Sequence, residues 1–180
     1  MKSKKIVITG GPGTGKSSII NALKRSGFTC FDEISRDITL QARKEGIEQL
    51  FLEDSLLFSE KLLEGRQQQY IDAHNHEDHV VFLDRGIPDI LAYMDYIGDT
   101  YPKVYEEACR SHTYDRVFIL APWQDIFVSD SERYETYEQA TLIHDKLIDT
   151  YLRFDYDLID VPFDSIEKRT EFVLNTLNLI

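Results

Sequence analysis

Residues Gly10-Gly11-Pro12-Gly13-Thr14-Gly15-Lys16-Ser17 fit the pattern G-x-x-x-x-G-K-[ST], whose spacing wraps backbone amides around a triphosphate. The donors are main-chain N–H groups, so side-chain bulk in the loop would hold the phosphates away from them. Lys16 is assigned to the β- and γ-phosphates, the Ser17 hydroxyl to a magnesium ion, and Ser18 carries the loop into the following element. Asp84 ends the apolar run Val80-Val81-Phe82-Leu83. A carboxylate there can hold magnesium opposite Ser17, or take a proton from an attacking hydroxyl. Arg85 stands next, where motor-type ATPases commonly carry a glutamate that polarises water; an arginine there suits an acceptor or a transferring phosphoryl oxygen. Asp32-Glu33 closes another short run, with Arg36 one helical turn on. Glu33, and after it Asp32, are candidate general bases, although acidic residues also favour the first turn of any helix. Arg133, in Asp130-Ser131-Glu132-Arg133-Tyr134-Glu135, is the candidate lid arginine that closes over the phosphates, in a lid of about 122–136.

These residues need a frame that brings strand ends together. Lys4 to Thr9 reads as a buried strand before the glycine-rich loop, and Ser18 to Arg25 as a helix after it. The order continues with strands at 28–31, 80–83, 116–120 and 157–161. Helical patterns lie between them at 34–44, 47–73, 89–97, 102–110 and 137–154, with a last helix at 165–177 capped by Asp164 or Ser165. Such alternation predicts an α/β chain, a five-stranded parallel sheet with helices on both faces, in a single domain over 1–180. Ligands then collect beyond the carboxyl ends of the strands, where Asp84 and Glu33 stand.

Other features carry less. His74-Asn75-His76-Glu77-Asp78-His79 has no cysteine or further ligand nearby and reads as a solvated turn rather than a metal site. Trp123, Tyr93 and Tyr96 are able to stack on a base, with core packing the plainer role. Cys30 and Cys109 match no redox or metal spacing and read as free thiols. With 32 acidic against 20 basic side chains the net charge is −12, which disfavours nucleic acid and anionic membranes as partners. The N-terminus runs straight into the first strand and no apolar run spans a bilayer, so the expected location is cytoplasmic.

Taken together, the glycine-rich loop, the run Asp84-Arg85-Gly86-Ile87-Pro88-Asp89, the lid Asp130-x-Glu132-Arg133-x-Glu135 and Val161-Pro162 make the chain resemble a known group. It looks like the small P-loop "AAA domain" ATP-binding proteins related to the ribosylnicotinamide kinase domain of NadR-type proteins. The resemblance implies a three-layer, kinase-like P-loop fold with strand order 2-3-1-4-5. The residues imply an ATP- and Mg2+-dependent phosphotransferase acting on the hydroxyl of a small, nucleoside-like metabolite. Asp32, Glu33, Asp84 and Asp89 on the acceptor side imply a neutral or cationic acceptor rather than a nucleoside monophosphate. The alternative is an NTPase that hydrolyses ATP as a switch for a protein partner.

Overall fold

In the computed structural model, which describes residues 2–127 and 135–180, the apolar runs form five parallel strands. These are β1 (Lys4–Gly10), β2 (Thr29–Phe31), β3 (Val80–Asp84), β4 (Arg116–Leu120) and β5 (Leu158–Asp160), in the order β2-β3-β1-β4-β5. β1 is central, with Ile8 opposite Asp84 on β3 and Phe118 on β4. The expected order 2-3-1-4-5 is therefore observed.

Side chains alternate between the two sheet faces, and each face finds its own helices. Ile6 and Ile8 pack under α1 (Lys16–Arg25) and, near the C-terminus, α8 (Ile166–Thr176) through Ile19, Leu23, Val173 and Leu174. Val7, Val81 and Ile119 face the other way, against α4 (Ser55–His74), α5 (Pro88–Ile97) and α7 (Tyr137–Arg153). The remaining helices are α2 (Ser35–Lys44), α3 (Leu50–Glu53) and α6 (Val104–Ser111). The layers are thus helix, sheet, helix.

The pattern expected over 47–73 as one stretch divides at Asp54. There the side chain accepts from the Leu57 amide and starts α4 afresh, because a capping carboxylate satisfies amides that a continuous helix would already have used. Of the two candidate caps for α8, Ser165 accepts from the Lys168 amide. α7 begins with a capping box between Thr136 and Gln139. Cys109 is buried and Cys30 half-buried; neither forms a disulfide, and burial pushes both thiols up to about 12. Among the described residues, no helix is long and apolar enough to cross a membrane.

Candidate active site

The loop between β1 and α1 lies at the middle of the sheet, where connections leave to both sides, which is where open α/β sheets bind ligands. Gly13 and Gly15 have φ of +73° and +87°, in the left-handed region that glycine alone enters freely. A Cβ on Gly13 would come within 2.6 Å of the Phe127 ring, and one on Gly15 within 2.9 Å of Arg169. No side chain among the described residues caps α1 at Gly15, so its first-turn amides keep their donors for a ligand. Lys16 folds back, its ammonium donating to the Gly11 carbonyl at 2.8 Å, and the Thr14 hydroxyl donates to the same carbonyl at 2.9 Å. Burial drives the Lys16 ammonium down to about 7, aided by the Arg85 charge and opposed by Asp84, Asp89 and Glu33. Ser17 is exposed at the start of α1.

Asp84 ends the strand beside β1 and is 6 % exposed. Its Oδ1 atom is buried and has no hydrogen-bond partner. Burial raises its pKa, with Lys16 and Arg85 opposing. A buried anionic oxygen with nothing to bind is costly in the free protein and suits a cation or its water ligand. The donor set therefore fits a hard divalent ion shared between oxygen groups.

Arg85 takes φ +76°, a conformation that costs an L-residue roughly 1–2 kcal/mol. Several contacts hold it there. Nε pairs with Glu33 at 2.5 Å, Nη1 with Asp89 at 3.1 Å, Nη2 donates to the Tyr93 hydroxyl at 3.3 Å, and the guanidinium lies over the Tyr93 ring. In this structure Arg85 is thus committed to the protein itself. Glu33 is gripped a second time by Arg66 of α4 at 3.0 Å and also accepts from the Ser35 amide at 3.1 Å. Burial alone would raise the Glu33 pKa, but Arg66, Arg85 and that amide outweigh it and hold the carboxyl below its ordinary value. Asp32, the second base candidate, turns outward and pairs with Lys24 at 2.5 Å on an exposed face. The two carboxylates follow the end of β2 at Phe31 and diverge, Asp32 to Lys24 and Glu33 to Arg66 and Arg85.

Asp89 must be taken out of the acceptor surface. It is 1 % exposed, and both oxygens are occupied: Oδ1 by the Thr9 hydroxyl at 2.6 Å and Arg85, Oδ2 by the Gly86 amide at 2.9 Å and the Tyr151 hydroxyl at 2.5 Å. Arg66, which also donates to the Gly86 carbonyl at 2.5 Å, was not singled out from the sequence. Its signal was present: with Ser59, Leu62 and Leu63 it falls on the buried stripe of α4, a charged residue in a core-facing phase. With Arg66 counted, the excess of acid on this side is largely neutralised, and the charge argument for a cationic acceptor falls with it.

The other candidates scatter. Tyr93 packs against Arg85, Tyr96 joins the core beneath β3, and Trp123 stacks on Phe163 with centroids 5.2 Å apart. Val161 is buried and its amide donates to the Ile119 carbonyl at 3.0 Å. His74 stacks on Tyr70, and His76 accepts from the Asp78 amide. Arg133 and the middle of the expected lid segment, residues 128–134, lie outside the described residues.

The sequence profile of a family described as "AAA domain" matches residues 5–169. No curated protein matches the chain. Among solved structures, deoxyadenosine kinase from M. mycoides with products dCMP and dCDP superposes with a TM-score of 0.70 at 19 % identity, covering 98 % of this chain and 100 % of that one. Thymidylate kinase from Ehrlichia chaffeensis gives 0.66 at 16 %, covering 98 % and 100 %. A NadR protein in complex with NR gives 0.75 at 17 %, covering 98 % of this chain and 51 % of that one, so the chain spans about half of its length. At these identities the likeness establishes a shared P-loop kinase fold.

Proposed function

The chain belongs to the AAA domain family, and from that premise we propose that it is an ATP- and magnesium-dependent phosphotransferase acting on a hydroxyl of a nucleoside-like metabolite. The observation that carries this reading is the buried, unpartnered Asp84 oxygen at the end of the strand beside the P-loop strand. Lys16 and the loop amides hold the β- and γ-phosphates. Ser17 and Asp84 would hold magnesium, which when bound supplies neutralising charge to the phosphates. The donor nucleoside extends toward β4 and β5, leaving the acceptor to the β2 and β3 side, where Glu33 stands.

Glu33 orients the acceptor hydroxyl and receives its proton as the oxygen bonds to the γ-phosphorus and the β–γ bridge breaks. A carboxylate held ionised by Arg66 and Arg85 is a weak base, which suffices where the transition state is loose and the proton leaves late. Both arginines are already spent on Glu33, Asp89 and the Gly86 carbonyl, which supports an acceptor without its own phosphate. ADP release is measured with MgATP against nucleosides, their monophosphates and no acceptor. Nucleoside-stimulated turnover is expected. Preference for monophosphates refutes the acceptor class, and a rate indifferent to every acceptor returns the reading to a hydrolytic switch.

Lys16 makes the binding step pH-dependent. In the free protein its ammonium loses its proton as pH rises through about 7, whereas a triphosphate on the loop restores the charged form. Nucleotide binding should therefore take up almost no proton at pH 6 and close to one proton at pH 8. Titration calorimetry in buffers of different ionisation enthalpy reads this directly. Buffer-independent heats at pH 8 would show that Lys16 is already charged in the free protein.

A further inference from the structure

Arg169 on α8 is a buried cation far from the acceptor residues. It is 2 % exposed, and its Nη2 donates to the Thr14 carbonyl of the P-loop at 3.0 Å. Its Nη1 sits so close behind Gly15 that a Cβ there would come within 2.9 Å. The guanidinium faces the Trp123 ring, 5.9 Å from the centroid, within cation–π range. Nε is buried with no partner, and among the described residues no carboxylate pairs with the group. Such a charge is expensive to bury unless something anionic compensates it. The feature next to it built for anions is the glycine-rich loop whose back it touches. Trp123 follows β4 and stacks on Phe163, which follows β5 and is 53 % exposed, so the aromatic pair lies at the ligand edge on the donor side.

We infer that Arg169 is a positioning residue that couples the phosphate loop to the Trp123–Phe163 aromatic pair, so that filling the loop is felt at the pair. The inference rests on the nucleotide-binding reading above. Phosphate charge arriving on the loop draws the Thr14–Gly15 segment and the guanidinium with it, and the contact of that guanidinium with the indole changes. One residue thus ties phosphate occupancy to the place where the donor base would stack. Arg169 touches neither phosphate nor base in this account; it acts through the Thr14 carbonyl and the indole.

Trp123 is the single tryptophan of the chain, which makes the coupling directly visible. The probe is inorganic tripolyphosphate with magnesium, which fills the loop and carries no base, compared with MgATP, with binding followed independently by calorimetry. In the unmodified protein tripolyphosphate is expected to change the Trp123 emission. In Arg169→Lys, which keeps the charge but loses the planar fork, binding persists and the emission change is lost. Arg169→Met should in addition weaken both ligands about tenfold, because it removes a buried cation from behind the phosphate loop. A purely structural arginine would lower the melting temperature without separating binding from the emission change. Binding of tripolyphosphate with a silent Trp123 in the unmodified protein, or an unchanged response in Arg169→Lys, overturns the coupling. Failure of both ligands to bind the unmodified protein instead overturns the nucleotide-binding reading, and the coupling with it.

Discussion

Asp84→Asn is expected to abolish phosphoryl transfer while making the free protein more stable. The turnover loss should be at least about a hundredfold and nearer a thousandfold, the scale on which a single preorganised electrostatic group acts on a transition state. Nucleotide affinity should fall far less, because Lys16 and the loop amides remain. The stability gain follows from the same buried oxygen. Asp84 is 6 % exposed, its Oδ1 is without a partner, and burial raises its pKa above the ordinary 3.8. For an acid whose folded pKa is raised, the ionised form is disfavoured in the fold. The penalty is absent below the unfolded pKa and fully present above the folded one. Removing the charge should therefore add on the order of 1 kcal/mol at pH 7, or about 2–4 °C of melting temperature for a chain this long. The gain should shrink as pH falls toward about 4, the unfolded carboxylate value, and be gone below it. Thermal melts of both proteins from pH 4 to 8, beside ATP turnover, test the pair of effects. A variant that melts lower at pH 7, or that turns over at near-normal rate, removes Asp84 from the role assigned to it.

Asp89→Ala should give the largest loss of stability in the molecule. The carboxylate receives the Thr9 hydroxyl, the Gly86 amide, the Tyr151 hydroxyl and the Arg85 guanidinium, all buried or nearly so. Taking it away leaves those donors and one cation without their partner, which costs about 3–5 kcal/mol. That corresponds to a fall in melting temperature of roughly 10 °C or more. The sign with pH is opposite to that of Asp84. Burial alone would raise the Asp89 pKa, but Arg85, Arg66 and the two hydroxyls together lower it. Its contribution is therefore present at neutral pH and is lost as pH falls through the lowered carboxylate range. Asp89→Ala should flatten the acid limb of the stability profile. Turnover should drop too, because Arg85 at φ +76° loses one of the contacts that hold it beside Glu33. Denaturant unfolding at pH 7 decides the matter: a loss smaller than about 1 kcal/mol would mean that Arg85 and Gly86 are held by other means.

Asp84 and Asp89 together show where reading the chain succeeds and where it stops. The place of Asp84 at a strand end beside the glycine-rich loop was legible because everything that marks it is local: an apolar run before it and the turn residues after it. Asp89 lies five positions on and carries the same charge, yet its partners Thr9 and Tyr151 are 80 and 62 positions away. One carboxylate is left open at the strand end and the other is fully consumed, a difference that appears only once the helices are packed. Glu33 and Asp32 make the same point just past the end of β2, with one turned in to Arg66 and Arg85 and the other out to Lys24.

The sequence by itself determined the alternating parallel fold, the glycine-rich loop between β1 and α1, and the strand-end position of Asp84. Each of these rests on short-range rules: hydrophobic period, glycine at positive φ, and a residue's place in its own strand. Tertiary structure alone decided the charge balance of the cleft and the wiring behind the loop. Arg66 reaches Glu33 across 33 positions and Arg169 reaches Thr14 across 155. Whether a buried charge is neutralised, stranded or poised for a ligand depends on neighbours that chain topology brings within about 3 Å. No local spacing encodes those neighbours.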